Sequence, residues 1–562
     1  MRGKKIILST AISSPEAEQQ TVEVCGRVVD ANGEPIIGAS VMEADTGNGV
    51  ITDLDGNFVL RLSAAGASIS ISYVGYVSQT VKATPDKPLH VVLQEDNQLL
   101  DEVVVVGFGS QKKVNLTGAV TSVTSEQLSS RPVSNVSQAL QGLVPGMNFS
   151  YGGDGGRLDQ NMSVNIRGVG TIDNGSESGS NASPLILIDG MAGDMNALNP
   201  QDIESISILK DASASSIYGS RAAFGVVLIT TKRGKAGKVS INYNNNFRWS
   251  QAINMPEVAD AYSYATYFNT MKLNDGDTAQ FPEWRMQNIR DYLDGKRTET
   301  TTPSADNPSR WDWIGNTNTD WYDVVFGGAA FSQEHSLSVS GGTEKIKYYF
   351  SANFLDQNGL IRIRRDQMKC YTVSGRIDAQ LFPWLQMSYN TKFIRRDYMQ
   401  PTALNDNMLY HNIAKRWPME PTVDPNGHTM SNTIINPILY GGDATSQTDW
   451  LYQQFSIMVE PIKNWRIIGE VNYRVNDNFA HTDKLRVPQW DVNGDAYYEA
   501  GGWTNTSVTE NTERTNYFNV NAYTDYTHSF NDAHNLKVMV GFQAERNKYR
   551  RLQATGNDLI SE

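Results

Sequence analysis

Cysteine is scarce in this 562-residue sequence, which contains Cys25 and Cys370 alone, far apart and in different kinds of segment. Two such residues exclude a disulfide-stapled scaffold and a zinc site built from cysteines. Basic residues are also outnumbered: 48 Lys and Arg stand against 61 Asp and Glu, so the formal net charge is −13. Because no basic stripe offsets this acidic balance, we expect no nucleic-acid partner.

Sequence motifs for catalysis and metal binding are absent as well. The seven histidines show no His-Glu-x-x-His spacing, and the sequence has no Gly-x-Ser-x-Gly elbow, P-loop or Cys-x-x-Cys pair. Asp189 and Asp194 could be imagined as the carboxylate pair of a glycosidase, but we interpret them as turn residues. The sequence therefore predicts a protein that is not an enzyme and that has no metal site and no cofactor.

Long apolar runs are missing too, since no segment approaches the roughly 18 apolar residues of a transmembrane helix. What the sequence does contain is 46 glycines and an aromatic fraction of 10%. This composition is compatible with extended β structure, including a membrane barrel, whose strands carry only a weak hydropathy signal. With 562 residues, the chain is long enough for several domains.

The first 20 residues have some features of a secretory leader. A basic start, Met1 to Lys5, precedes the short apolar stretch Ile6 to Ile12. This stretch is at the lower limit of length and no small-x-small cleavage site follows it, so an intact leader and an altered one both remain open. We expect residues 1–20 to be unstructured in the mature protein.

Residues 21–95 show the pattern of a small β domain. Short alternating segments separated by Gly, Asp and Asn turns predict a β-sandwich, and Cys25 is expected to be buried in its first strand. Asp53 begins a string that could suggest a calcium loop, but an EF-hand would need Gly and Glu where the sequence has Phe58 and Ala64. We therefore predict a turn between two strands at this string.

Three strings in this β domain carry a family resemblance. They resemble the carboxypeptidase-regulatory-like domain, and they are Gly26-Arg-Val-Val-Asp30, Gly38-Ala-Ser-Val41 and Thr52-Asp-Leu-Asp-Gly-Asn-Phe58. The resemblance does not imply a peptidase, because the sequence has no His-Glu zinc motif.

A polar linker, residues 96–112, surrounds the run Asp101-Glu102-Val103-Val104-Val105-Val106-Gly107. Four consecutive valines favour a strand, and we expect no hairpin partner beside it. A lone strand of this kind is suited to adding itself to the open sheet edge of another protein. The alternative is an ordinary buried strand.

Residues 113–236 are rich in Gly, Asn and Ser and indicate a mixed α/β domain, with helical spacing over 133–143. Five strings resemble the plug of TonB-dependent outer-membrane transporters of the SusC/RagA type: Asn115-Leu-Thr-Gly118, Ile166-Arg-Gly168, Leu187-Ile-Asp-Gly190, Ile208-Leu-Lys-Asp211 and Tyr218-Gly-Ser-Arg-Ala-Ala223. The resemblance extends over nearly the whole chain. It implies that the valine run is the TonB box, the segment that pairs with TonB.

The remaining residues, 237–562, show the repeated alternation of barrel strands. We predict nine strands, near 238–250, 331–341, 344–356, 369–381, 384–396, 448–461, 464–476, 514–529 and 534–547. Long connections alternate with short ones, as they do where long extracellular loops and short periplasmic turns join the strands of an outer-membrane barrel. A soluble β-sandwich has no reason to keep every second connection short.

Nine strands are too few to surround the predicted plug. A compact domain of about 120 residues is roughly 35 Å across, and a barrel around it needs roughly 18–23 strands. We therefore expect residues 237–562 to be an incomplete barrel, as the N-terminal part of a longer transporter or as a truncated product. The resemblance implies a complete antiparallel transmembrane barrel of about 22 strands.

The predicted fold is thus mostly β, and the family resemblance implies a function for it. That function is TonB-dependent import of a nutrient across the outer membrane of a Gram-negative bacterium. Of the possible nutrients, we favour an oligosaccharide. The implied partners are TonB with its inner-membrane energising proteins, a SusD-like surface lipoprotein and outer-membrane lipid. Import of peptides or of a metal chelate, and a non-transporting binding or adhesion protein, remain as alternatives.

Aromatic residues in the long connections are the candidates for substrate binding. Aromatic faces stack on sugar rings, so we assign this role to Trp311, Trp313, Trp417 and Trp490. The alternative is that such residues pack the loops or form the aromatic girdle at the membrane interface.

Overall fold

The structure is a computed structural model. The chain forms two compact units, Met1–Thr117 and Gly118–Glu562. The predicted leader at residues 1–20 lies outside the described residues. The structure describes residues 22–30, 33–43, 46, 48–63, 67–73, 76–82, 88–94, 103–106, 109–112, 120–131, 133–150, 157–159, 162–168, 183–211, 215–405, 409–430, 434–498, 505–530 and 534–558.

The described part of the first unit contains a small two-sheet domain. Its strands are Val22–Val29 (β1), Ser40–Glu43 (β2), Gly49–Ile51 (β3), Asn57–Leu62 (β4), Ser68–Ser72 (β5), Gln79–Lys82 (β6) and Leu89–Val92 (β7). One sheet has the order β4-β1-β7 and the other the order β3-β2-β5-β6. Alternate residues of β4, Phe58, Leu60 and Leu62, are buried at 3%, 1% and 1% exposure. The predicted β-sandwich is therefore confirmed.

Two expectations for this domain have different outcomes. Asp53 accepts hydrogen bonds from the backbone N–H groups of Asp55 (3.0 Å) and Asn57 (2.8 Å), so the predicted turn between strands is confirmed. Cys25 lies on β1, but its side chain is exposed, and the expected burial is wrong. The reason is the two-residue period of a strand: Val24 faces the core, so its neighbour faces the opposite side.

The valine run also differs from the expectation. Val103–Val106 (β8) pairs antiparallel with Gly109–Lys112 (β9), so the predicted absence of a hairpin partner is wrong. The sequence Gly-Ser-Gln-Lys has low strand propensity, and its pairing reflects its proximity to a strong strand rather than a preference of its own.

The plug region, residues 118–236, is mixed α/β as predicted. Its strands are Val120–Thr124 (β10), Met147–Ser150 (β11), Ser163–Ile166 (β12), Leu185–Ile188 (β13), Met191–Ala192 (β14), Ile203–Leu209 (β15) and Val226–Thr231 (β16). Its helices are Ser125–Ser129 (α1) and Val136–Leu140 (α2), with 3₁₀ turns at Met195–Ala197, Pro200–Asp202 and Ser216–Ala222. Strands β10-β15-β16-β13-β14 form one sheet in that order, and β11 pairs with β12.

Nine of the described strands form one antiparallel sheet, the large sheet, in which each strand pairs with its neighbours along the chain. They are Gly237–Ser250 (β17), Ala330–Gly342 (β18), Ile346–Asn358 (β19), Gln367–Phe382 (β20), Leu385–Pro401 (β21), Asp443–Ile462 (β22), Trp465–Lys484 (β23), Ser507–Phe530 (β26) and His534–Asn557 (β27). The nine predicted strands are confirmed. Several are longer than predicted because pairing continues past the alternating apolar segment into polar residues.

The predicted alternation of long and short connections is also confirmed. Long connections contain Gln489–Trp490 (β24), Ala496–Tyr497 (β25), the 3₁₀ turn Thr402–Asn405, and the helices Ala261–Asn274 (α3), Glu283–Leu293 (α4), Trp321–Phe326 (α5), Leu409–Ala414 (α6) and Ile435–Tyr440 (α7). Short connections fall at 343–345, 383–384 and 463–464, and the turn predicted after Phe530 lies outside the described residues. Among the described residues, no helix combines the length and the apolar character needed to cross a membrane.

The two faces of the large sheet differ in polarity. On β20, Thr372 and Arg376 are 3% and 7% exposed, whereas Val373 and Ile377 are 58% and 41% exposed. Polar side chains of β19 to β22 on the buried face contact the plug region, whereas the exposed face of β20 is apolar. This distribution reverses the usual arrangement of a soluble sheet.

Candidate functional site

Asp189 lies where the plug region meets the polar face of the large sheet. With Gly190 it forms the two-residue connection between β13 and β14. Both residues have positive φ, 48° for Asp189 and 88° for Gly190, as a tight Asp-Gly hairpin requires. The interpretation of Asp189 as a turn residue is therefore confirmed, and its carboxylate has an additional role.

The Asp189 carboxylate joins the plug region to the sheet. Oδ1 accepts a hydrogen bond from the Thr231 backbone N–H (3.0 Å), and Oδ2 accepts from the Thr231 hydroxyl (2.6 Å) and from Asn390 Nδ2 (3.1 Å). Arg376 lies 3.8 Å from Oδ1, and the Asp189 side chain is only 6% exposed. Burial opposes ionisation, but Arg376, Lys392 and the hydrogen bonds from Thr231 hold the pKa of Asp189 below its ordinary value.

Other groups of the plug region make similar contacts. Asp202, which is 3% exposed, accepts hydrogen bonds from the Tyr349 hydroxyl (3.1 Å) and from Asn353 Nδ2 (2.9 Å). Gln454 Nε2 donates to the backbone carbonyl of Asp189 (2.7 Å). The plug region is thus attached to the adjacent strands β19, β20, β21 and β22 by polar side chains.

Some buried polar atoms at this contact are unpaired. Lys392 Nζ and the hydroxyls of Ser351 and Ser374 have no hydrogen-bond partner within the described part of the chain. They are neighbours across three strands, because Ser351 lies opposite Ser374 and Ser374 lies opposite Lys392. The three groups therefore form a row of unpaired polar atoms on the face of the sheet that meets the plug region.

The structure brings two of the four candidate tryptophans together. The ring centroids of Trp313 and Trp417 are 5.1 Å apart, and Trp417 also packs on Phe268 and Phe281. Trp313 keeps 41% of its surface exposed. This pair therefore combines a packed ring with an accessible one.

The other two candidates have different surroundings. Trp490 is stacked on His428, with parallel rings and centroids 5.1 Å apart, and contacts Tyr440 edge-on. Trp311 is partly buried, and its Nε1 has no hydrogen-bond partner among the residues described. Much of the surface of Trp417 and of Trp490 is therefore used in loop packing, which is the alternative interpretation.

Sequence reasoning missed the charged residues that line the polar face of the sheet. Arg376 and Lys392 contact or face carboxylates about 190–200 positions away in the chain. A signal was present in the sequence: Arg376 and Asp378 alternate with Val373, Gly375 and Ile377, which places charge on one face of a strand and apolar residues on the other.

Only part of the predicted TonB box can be placed. The backbone of Val103–Val106 forms β8, while Asp101, Glu102 and Gly107 lie outside the described residues. The assignment of Asp101 to Gly107 as a TonB box stays a prediction. Among the described residues, no group of three or more His, Cys, Asp or Glu is placed to hold a metal ion.

Comparison with known proteins relates both units to characterised families. Residues 112–226 match the TonB-dependent Receptor Plug Domain, and residues 24–105 match the CarboxypepD_reg-like domain. The chain is 33% identical over 401 residues to the TonB-dependent receptor SusC of Bacteroides thetaiotaomicron, covering 69% of this chain and 35% of SusC. It is 29% identical over 540 residues to the TonB-dependent receptor P39 of Formosa agariphila, covering 93% of this chain and 46% of P39.

A solved structure of the RagAB peptide importer shares the fold. The TM-score is 0.63 at 22% identity, and the match covers 80% of this chain and 50% of the solved chain. The chain spans about a third to a half of the length of the two curated relatives described above. From its two matched domains and its sequence relatives, the chain is a SusC-like member of the TonB-dependent receptors, which are receptors and transporters rather than enzymes.

Proposed function

We propose that this protein takes part in TonB-dependent import of a nutrient across the outer membrane. The nutrient that we favour is an oligosaccharide. The observation that carries the proposal is the plug region attached by polar side chains to one face of a sheet whose other face is apolar. Such a sheet separates a polar interior from lipid, and the plug region occupies the interior side. Movement of the plug region would then open a path along the sheet.

The apolar face has dimensions that suit a membrane. On β20, the exposed aromatic residues Tyr371 and Phe382 lie 11 positions apart and bound a segment of the strand. At ~3.3 Å per residue and a tilt of ~40°, this segment spans ~28 Å, close to the ~25 Å apolar band of outer-membrane barrels. We therefore propose an outer-membrane location for the large sheet.

Labelling of introduced cysteines tests this location. The long connections should face the outside, so labels within 400–440 and 480–510 should react in intact cells expressing the native gene. Labels at 341–344 or 382–384 should react only after the outer membrane is opened. Reversed reactivity would contradict the topology, and equal reactivity of both groups would contradict membrane insertion.

The run Asp101 to Gly107 is proposed to couple import to TonB. A strand recruits another protein by offering a free edge for backbone hydrogen bonds, and β8 uses one edge for its pairing with β9. TonB can add to the other edge or replace β9. In either case the extended backbone matters more than the identity of each side chain.

Two substitutions of one valine test the coupling. Val104→Pro removes a backbone N–H and restricts φ, so uptake should be lost while substrate binding at the cell surface is retained. Val104→Ile preserves the strand and should leave uptake unchanged. Both variants are compared at matched surface levels, and normal uptake by Val104→Pro would contradict the role of this strand.

The substrate and the lipoprotein partner are proposed on less direct grounds. The exposed face of Trp313 beside Trp417 is a surface on which a sugar ring can stack, and Trp311 and Trp490 remain additional candidates. Trp313→Ala should weaken oligosaccharide binding about two- to twelvefold, the value of one aromatic stacking contact. Trp284→Ala, at another exposed tryptophan, is the control. Equal effects of both variants would contradict the assignment.

A SusD-like lipoprotein is the proposed partner, and peptides are the second candidate substrate. RagAB, which shares the fold, is a peptide importer. Affinity purification of the native protein should recover one surface lipoprotein in stoichiometric amount. Competition between an oligosaccharide mixture and a peptide mixture for binding to that complex then distinguishes the two substrate classes.

A further inference from the structure

A cavity of about 280 Å³ with both polar and apolar residues in its wall lies between the plug region and the large sheet. Its wall includes Asn196 of the plug region and Glu334, Asn353, Cys370, Thr372 and Arg396 of the sheet. The sheet residues lie in the halves of β18 to β21 that lead to long connections. At ~30 Å³ per water molecule, the volume corresponds to roughly nine waters, which is the size of one sugar ring rather than of a chain.

Three charged side chains line this wall, Arg157, Glu334 and Arg396, and Arg157 pairs with Asp159 at 2.8 Å. Glu334 is neutralised, because Arg248 lies 3.5 Å away and Asn199 Nδ2 donates to its Oε1 at 3.3 Å. Arg396 donates through Nη2 to the Asn196 carbonyl (2.7 Å), and its guanidinium lies 5.3 Å from the centre of the Trp450 ring. The guanidinium also interacts with the Cys370 thiol. Within the described ranges, its buried Nε has no hydrogen-bond partner and no carboxylate forms an ion pair with Arg396.

Two other arginines of the sheet show what is special about Arg396. Arg395, its neighbour in the chain, makes two hydrogen bonds to Asp449, at 2.8 and 2.7 Å. Arg474 resembles Arg396, because it donates to a plug carbonyl, that of Ala192, and lies over the Tyr517 ring. Arg474 is not part of the cavity wall. Both arginines anchor the plug region, and this role explains the contacts that they make. It does not explain why Arg396, unlike Arg474, also lines a cavity rich in carboxamide side chains.

We propose that Arg396 binds the carboxylate of an acidic sugar unit of the transported oligosaccharide in this cavity. The proposal rests on the proposed import of oligosaccharides. A guanidinium without an acidic partner forms strong, charge-assisted hydrogen bonds with a carboxylate. Asn353, whose Nδ2 is used by Asp202, retains Oδ1 as an acceptor, and the hydroxyl of Thr372 can donate and accept. Both groups suit the hydroxyls of a sugar ring.

The cavity contains its own reporter, the thiol of Cys370. Cys25→Ser, at an exposed position, leaves Cys370 as the one cysteine within residues 1–562, and its labelling by a small methanethiosulfonate reagent is read on the peptide that contains it. The protein is expressed from its native gene and labelled in outer membranes. The probes are tetragalacturonate, tetramannuronate and the neutral methyl ester of each. We expect each acid, at the same concentration, to slow labelling at least tenfold more than its ester.

The arginine variants identify the group that is responsible. Arg396→Gln should lower the affinity for the acids about ten- to hundredfold, the value of a charge-assisted hydrogen bond, and leave the esters unaffected. Arg474→Gln disturbs the plug contact in the same way but should retain the preference for acids. Equal losses in both variants would show that Arg396 only anchors the plug region, and would overturn the proposal.

Other outcomes also contradict the proposal. Equal protection by acids and esters, no protection by either acid, or a Cys370 thiol that does not react in the free protein would each overturn it. Protection by a tetrapeptide with a free carboxyl terminus, but by neither acidic sugar, would overturn the sugar assignment. Normal uptake of neutral oligosaccharides alongside any of these results would leave the proposed import function intact, so the two failures can be distinguished.

Discussion

Strands β4 and β20 both alternate between polar and apolar residues, but the kind of residue that is buried differs between the two strands. On β4, the apolar residues Phe58, Leu60 and Leu62 are buried and the residues between them are exposed. On β20, polar residues such as Thr372 are buried and apolar ones such as Val373 are exposed. Alternation therefore indicates a strand, but it does not say which face is the interior.

The difference follows from what covers each face. In the first unit, apolar residues cover one another, and full burial of a side chain such as Leu60 stabilises the fold by ~1.5–3 kcal/mol. In the large sheet, the covered face meets the plug region through hydrogen bonds and ion pairs, which are stable only when each buried charge has a partner. Mutations should therefore destabilise the first unit by removing apolar contacts, and the plug contact of the large sheet by leaving buried charges without a partner.

The largest effect is expected at the plug contact. Asp189→Ala leaves Arg376 and Lys392 without their buried counter-charge, so the plug contact should lose ~3–5 kcal/mol. Asp194→Ala, just after β14, removes a carboxylate that caps a 3₁₀ turn by accepting from the Asn196 N–H, and should cost ~1 kcal/mol. Pulse proteolysis of the plug region in urea measures both. Adding Lys392→Met to Asp189→Ala should restore part of the loss, and equal effects of the two single variants would contradict the assigned role of Asp189.

The same carboxylate gives a pH test. Its pKa in the folded protein lies below the ordinary value of ~3.9, so its stabilising contribution is complete above that pH and is lost as the pH falls through the lowered pKa. Protease resistance of the plug region should therefore be constant from about pH 7 to about pH 5 and decrease only below about pH 4. A decrease between pH 7 and 5 would show that another group controls the contact.

A matched pair of exposed residues tests the apolar face. Ile377, 41% exposed, lies halfway between Tyr371 and Phe382 on β20, and Val59, 54% exposed, lies on β4. Ile377→Arg should destabilise the folded protein by ~2–4 kcal/mol if its side chain faces the middle of a bilayer, whereas Val59→Arg should change stability by less than ~0.5 kcal/mol. Urea-dependent folding into lipid vesicles measures the first and pulse proteolysis the second. Similar small effects would contradict lipid exposure.

The comparison also shows how much of the fold is predictable from sequence. The strands are predictable because alternation is local, and the Asp189-Gly190 turn is predictable because few residue pairs adopt positive φ. The extent of helix 133–143 is not, since the structure has only Val136–Leu140 and Gly142 has a φ of 77°.

The candidate site was less predictable than the fold. Trp313 and Trp417 are about 100 positions apart in the sequence, and their contact depends on how two long connections fold together. Arg396 and Asn196 are separated by 200 positions, and no local pattern joins them. The exposed Cys25 shows the same limit on a smaller scale, because a one-residue shift of register moves a side chain to the other face.

The smallest effects are expected for two buried hydroxyls. Thr52, in the first unit, is 3% exposed, donates to the Ile36 carbonyl (2.6 Å) and accepts from the Ala39 N–H (2.9 Å). Thr52→Val leaves both backbone groups unpaired and should cost ~1–3 kcal/mol.

Ser374, on the polar face of the large sheet, is 7% exposed, and its hydroxyl has no partner in the described residues. Ser374→Ala removes no protein hydrogen bond, so stability should change by less than ~0.5 kcal/mol. Pulse proteolysis in urea, reading the first unit for Thr52→Val and the plug region for Ser374→Ala, checks both values. A loss above ~1 kcal/mol for Ser374→Ala would mean that its hydroxyl holds ordered water between plug region and sheet, and the polar face would then be as tightly paired as the core of the first unit.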